Sequence, residues 1–332
     1  MRRLDRALAG AQRLSGSRVV QVVFVVTAVT AATVAIILDR AAFVSAAREL
    51  GIVSLLVAGA FTVVNVLAAA QAWRSVLADL GSPLPRRTAF RIFLVGSLGK
   101  YLPGGVWFLI AQMELAAKQG IPRQRAGSAS VVTLVLTVAT ALMASLAIIP
   151  FAPGALPPAL GWVQLLLPLL VVALYPPVLN RALNTALRRF GRSSLEHQIS
   201  AGGTLRAVLW SLLSWLAIGG QVSVLAITVG APAEGRTVAL CLGGYALAWA
   251  LGFAAVVAPA GAGAREAVLL LVLATVLSPG SALVVALVSR LLLTVSDLGI
   301  AAAFGARLTR PAGAVAGSSP GQGPDAAPDA AT

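Results

Sequence analysis

Six ionisable residues stand inside or beside apolar stretches of this chain: Lys100, Glu114, Arg265, Glu266, Arg290 and Asp297. A charge at the centre of a membrane-spanning helix costs about 2.5–3.5 kcal/mol on insertion scales, so residues of this kind mark substrate or ion pathways. Two of the stretches are also interrupted by helix breakers, one at Pro103, Gly104 and Gly105, the other at Pro259, Gly261 and Gly263. A helix that starts just after such a break presents free N–H groups and the positive end of its dipole, which favours an anion. The pattern predicts that Lys100, Arg265 and Arg290 converge on an anionic group. Glu114, Glu266 and Asp297 would orient them and limit the net charge. Arg290 and Asp297 lie on one helical face but about 10 Å apart along the axis, so they need other partners. Two blander readings stay open: the breaks are kinks that let helices pack closely, and the carboxylates form structural ion pairs such as Glu114 with Lys118.

No constellation for covalent chemistry accompanies these charges. The one cysteine, Cys241, lies within an apolar run, and the one histidine, His197, lies in a polar loop, so neither a disulfide framework nor a Cys/His metal site can be assembled. Residues 94–101 end like a phosphate-binding loop, but Leu94 occupies the first glycine position and Tyr101 replaces the Ser/Thr. Gly261 and Gly263 begin like a dinucleotide fingerprint, but Glu266 stands where the third glycine belongs. With no nucleophile, general base or metal cluster in view, the expectation is a protein without enzymatic activity and without a cofactor.

The elements that must position these charges are helices in lipid. The 332 residues are 58% hydrophobic and 11% charged, with a mean hydropathy of +0.91, outside the range of soluble domains. Apolar segments run roughly over 19–38, 50–72, 126–149, 160–179, 209–229, 237–257 and 280–304, with broken stretches at 89–117 and 258–277. The net charge of +14 sits in short loops and not on one surface, which argues for topology and against nucleic acid. Basic residues before Val19, after the second span, at 118–125 and at 180–206 place those loops in the cytoplasm. Residues 89–117 then enter and leave on one side as a re-entrant hairpin.

Span, span, broken hairpin, span from 19 to 149 is followed by the same order from 160 to 304, starting from the opposite side. The expected fold is thus an all-α polytopic bundle with a 4+4 inverted repeat and two re-entrant hairpins. A basic cytoplasmic N-terminus (1–18) precedes the membrane domain (19–305), and a disordered cytoplasmic tail (306–332) follows it.

The segments GSLGKYLPGGVWFLIAQMELAAKQG at 96–120, APAGAGAREAVLLLVL at 258–273 and ALVSRLLLTVSDL at 286–298 resemble the lysylphosphatidylglycerol synthase transmembrane-domain family, a group of flippase-like membrane proteins. The family's first break corresponds to Pro103, Gly104 and Gly105. Its second break and Arg-Glu pair correspond to Pro259, Gly261, Gly263, Arg265 and Glu266, with Ala260 where many members have glycine. The resemblance implies a translocator of an anionic phospholipid or lipid-linked headgroup in the bacterial cytoplasmic membrane. It does not imply aminoacyl transfer, which belongs to a separate soluble domain in the best-known relatives. Two alternatives remain: a noncatalytic membrane partner of a glycosyltransferase or lipid-modifying enzyme, docking through 180–206, and a transporter of small soluble anions.

Overall fold

The computed structural model describes residues 40–101, 106–148, 151, 158–189, 194, 197–254 and 263–305. The expected first span (19–38) and the break residues Pro103, Gly104, Gly105, Pro259 and Gly261 lie outside them. Among the described residues all regular structure is helical. In chain order the helices are α1 (Arg40–Glu49), α2 (Ile52–Asp79), α3 (Arg86–Ser97), α4 (Trp107–Ala117), α5 (Arg123–Ile148), α6 (Leu166–Ala173), α7 (Pro176–Arg189), α8 (Ala201–Thr228), α9 (Gly235–Ala254), α10 (Ala264–Leu273) and α11 (Pro279–Gly305).

Five of these, α2, α5, α8, α9 and α11, are long and apolar enough to cross a membrane. Leu287, Leu291, Val295 and Leu298 form an exposed stripe along α11, and Leu205, Leu209, Leu213 and Leu216 form one along α8. Such stripes would be a liability in water and are what hydrocarbon requires. The inward faces carry small residues, Ala58, Thr62 and Ala70 on α2 and Ala217, Gly219 and Ala226 on α8, which let backbones approach. Thr62, Thr133, Thr140 and Ser145 return their hydroxyls to the carbonyl four residues earlier, which satisfies these buried donors.

Two expectations need correction. The stretch 160–179 is not one straight helix: a 3-10 turn (Pro158–Leu165) leads into α6, the chain breaks at Leu174 and Tyr175, and α7 leaves at 79°. The cause is Pro176 and Pro177, which lack N–H donors and force the preceding residue out of the helical region. In addition, Arg40–Glu49, which falls between two expected spans, is helical and packs on α11.

Helices α2 and α8 form the centre and run antiparallel. Asp79 at the end of α2 accepts hydrogen bonds from Ser200 N (2.6 Å) and Ser200 Oγ (2.7 Å) at the start of α8. Near the middle, Asn65 Nδ2 donates to Ser214 Oγ (2.7 Å) and Ser214 Oγ donates back to Asn65 O (3.2 Å), across an interval of 149 residues. The same interval relates the helix ends. Gly81 and Gly230 both take positive φ, 83° and 101°. Ser82 N donates to Leu77 O as Ala231 N does to Ala226 O, the bond that closes a Schellman cap. Each of α2 and α8, both of 28 residues, is then followed by a pair of shorter helices and a further span.

Candidate functional site

Helix α11 carries the two charges around which the site is organised. Its Asp297, 7% exposed, receives Lys100 Nζ at 2.6 Å and the hydroxyl of Tyr101 at 2.7 Å, both from the 3-10 turn (Leu98–Tyr101) that ends the first limb of the α3–α4 pair. Two turns earlier, Arg290 Nη1 donates to Glu266 Oε1 at 3.0 Å, reaching the start of α10. One helix thus clasps both broken segments, which answers where Arg290 and Asp297 find their partners.

The limbs of each pair meet closely. A Cβ on Gly99 would lie 2.5 Å from Phe108 N, so the turn before the first break rests directly on the backbone of α4. At the second break Gly263 takes φ +87°, a left-handed conformation that glycine adopts without a Cβ clash. Its N–H donates to Glu266 Oε2 at 2.6 Å. Glu266 therefore caps the N-terminus of α10 with one oxygen and holds Arg290 with the other.

Arg265 differs from the other two cations. It is 6% exposed and lies with its guanidinium carbon 4.9 Å from the ring centroid of Tyr245 on α9, an attractive cation–π placement. Among the described residues it has no carboxylate partner. Tyr245, 2% exposed, is within electrostatic range of Arg265, Arg290, Glu266 and Asp297 together, and Tyr101 is in range of Arg290. The two ion pairs share α11, and Arg265 adjoins Glu266 in the chain, so they are treated as one cluster. Among the described residues its three cations face two carboxylates, an excess of one positive charge.

Glu114 departs from the expectation that it orients one of these cations. It forms a two-pronged pair with Arg123, 2.7 and 2.8 Å, on an exposed surface where α4 hands over to α5. That hydrogen bond holds the Glu114 carboxyl below its ordinary range. The separation follows from α4, at 11 residues too short to cross a membrane, ending at Ala117 and leaving Glu114 in its last turn. Tyr101 and Tyr245 belong to the cluster and were not singled out from sequence. Tyr101 adjoins Lys100, the one local signal, while Tyr245 lies on another helix. Cys241 is fully buried and His197 is exposed against Gly81. No cluster of three or more metal-ligating side chains occurs among the described residues.

Residues 18–300 match the family model described as the lysylphosphatidylglycerol synthase TM region. The chain belongs to this family. The matched span includes the three cations, both carboxylates of the cluster and both broken segments, and with five apolar helices long enough to span it makes the chain a multi-pass membrane protein. Among curated proteins none matches it. In this member of the lysylphosphatidylglycerol synthase TM family, α11 forms an ion pair with one residue from each broken segment, Lys100 and Glu266.

Proposed function

We propose that this protein translocates a lipid with an anionic headgroup between the leaflets of the bacterial cytoplasmic membrane, without changing it covalently. One observation carries the proposal: Arg265 is buried, permanently charged and without a carboxylate partner among the described residues. A phosphate oxygen would complete it with charge-assisted hydrogen bonds, which in a low-dielectric site are about twice as strong as neutral ones. Glu266 and Asp297 hold Arg290 and Lys100 beside it, so the headgroup meets a formed site and not three mobile side chains. Membership of the family supports a lipid as the cargo.

The breaks suit the same function. Irregular backbone at membrane depth survives only where protein or water satisfies its N–H and C=O groups, so two broken segments imply a polar cavity between them. On this proposal α3–α4 and α9–α10 are re-entrant hairpins, and the sets that begin with α2 and α8 are inverted repeats. They rock against each other to expose the cluster to either leaflet. The N-terminus and the end of α11 are cytoplasmic.

The test is leaflet exchange of a fluorescent anionic phospholipid in proteoliposomes, comparing wild type, Arg265→Ala, Arg265→Lys and protein-free vesicles. Wild type should accelerate exchange, Arg265→Ala should lose at least tenfold of it, and Arg265→Lys should keep part. Uptake of soluble anions without lipid movement would replace this function with small-anion transport. No exchange across phospholipids and polyprenyl phosphates would favour a noncatalytic partner of a glycosyltransferase.

A further inference from the structure

Helix α7 is used by none of the above. Its axis is turned 79° from the preceding apolar segment, Trp162–Ala173. Leu179 and Leu183 of one side are buried with Trp73, Leu77 and Ile199. Asn180 locks that side in place, donating from Nδ2 to Ile199 O at 2.8 Å and accepting from Ile199 N at 2.9 Å. The opposite side carries Arg181 and Arg188, both exposed, with Arg189 beside them, and the helix has no acidic residue. Among the described residues none of the three arginines has an ion-pair partner. Val178 and Tyr175, 41% and 60% exposed, flank them with apolar surface.

The position of the helix identifies what these arginines meet. Ile199 adjoins Ser200, which Asp79 holds at the end of α2. Exposed Arg86 and Arg87 belong to the same end, and Arg125 there donates to Ser82 Oγ at 2.9 Å. The opposite end offers Arg48 with Glu49 just before the start of α2, and Arg236 with Glu234 in the loops around 229–236 and 274–281, charges that offset each other. An end this basic faces the cytoplasm, and the cytoplasmic leaflet carries the anionic lipids. We infer that α7 is an interfacial helix whose arginines hold the headgroups of anionic phospholipids as resident, non-transported lipids. Its own leucines are committed to the protein core, so attachment is electrostatic and falls with salt. A glycosyltransferase surface is the competing occupant, and the exposed apolar flank of Val178 and Tyr175 beside the arginines favours lipid.

The experiment uses the full-length protein, delipidated in neutral detergent, with bound lipid resolved by native mass spectrometry during titration with dioleoyl phosphatidylglycerol or dioleoyl phosphatidylcholine. Three variants are compared: Arg181→Gln/Arg188→Gln/Arg189→Gln, the corresponding triple Lys substitution, and Arg265→Ala. Each arginine at a charged surface contributes roughly fivefold, so the triple Gln variant should bind phosphatidylglycerol about 100-fold more weakly. The triple Lys variant should bind it nearly as wild type does. Arg265→Ala should keep this binding, which separates the interfacial lipids from the proposed transport site. Equal binding of the two lipids, or unchanged phosphatidylglycerol binding in the Gln variant with an unaltered helical circular dichroism spectrum, would overturn the inference. Loss of a protein partner with lipid binding intact would overturn it in favour of docking.

Discussion

At the scale of single residues, the cluster is a set of unequal pairs. Asp297 is 7% exposed and Lys100 is 33% exposed, so removing Lys100 leaves a buried carboxylate that keeps, among the described residues, the Tyr101 hydroxyl as its hydrogen-bond partner. Losing one partner of a buried pair costs about 3–5 kcal/mol, and partial exposure of Lys100 reduces that. We expect Lys100→Met to cost about 1–3 kcal/mol in thermal unfolding in detergent, and Lys100→Met/Asp297→Asn to recover more than half of it. Additive losses would mean that the pair is not coupled. The charges themselves were legible in the sequence because a charge in an apolar run demands an explanation. Their pairing was not: Glu266 and Arg290 are 24 residues apart and Tyr101 and Asp297 are 196 apart, and only the packing of helices decides such contacts. Glu114 shows the limit from the other side, since its actual partner Arg123 lies across a turn, beyond the reach of helical spacing arguments.

At the scale of elements, the breaks are held by close backbone contact as much as by charge. A Cβ on Gly99 would fall 2.5 Å from Phe108 N and 2.8 Å from Phe108 Cα, which are backbone atoms that cannot step aside as a side chain would. Gly99→Ala should therefore part α3 from α4 and cost about 1–3 kcal/mol as an overpacking substitution, seen as a lower unfolding temperature and a weakened Lys100–Asp297 pair. Gly263→Ala should cost about 1–2 kcal/mol for a left-handed alanine and misplace Arg265 as well, so exchange should fall further than stability. An Ala variant of Gly99 that melts like wild type would show that the limbs are not in contact. The long helices were legible because about 20 apolar residues have few other fates. The 79° turn at Tyr175 was missed for a composition that stays apolar through it, although Pro176 and Pro177 were the signal.

At the scale of the whole molecule, the proposed inversion makes a geometric demand that no single helix makes. The sequence order of spans and breaks suggested two halves. It could not supply the decisive interval, which comes from Asn65 and Ser214 bonding reciprocally across 149 residues between antiparallel helices. With that interval fixed, Gly81-Ser82-Pro83 aligns with Gly230-Ala231-Pro232, and the two exposed prolines occupy equivalent loops at opposite ends of the bundle. In a Cys241→Ala background, Pro83→Cys and Pro232→Cys should react from opposite sides of the membrane. A membrane-impermeant maleimide on spheroplasts should label Pro232→Cys at least tenfold faster than Pro83→Cys. Permeabilisation should remove the difference, because both loops are exposed to water. Labelling of both positions from one side would end the inverted arrangement, and with it the rocking motion by which one cluster could serve two leaflets. It would leave the Arg265 test untouched, since a binding site for an anion does not depend on which way the second half was inserted.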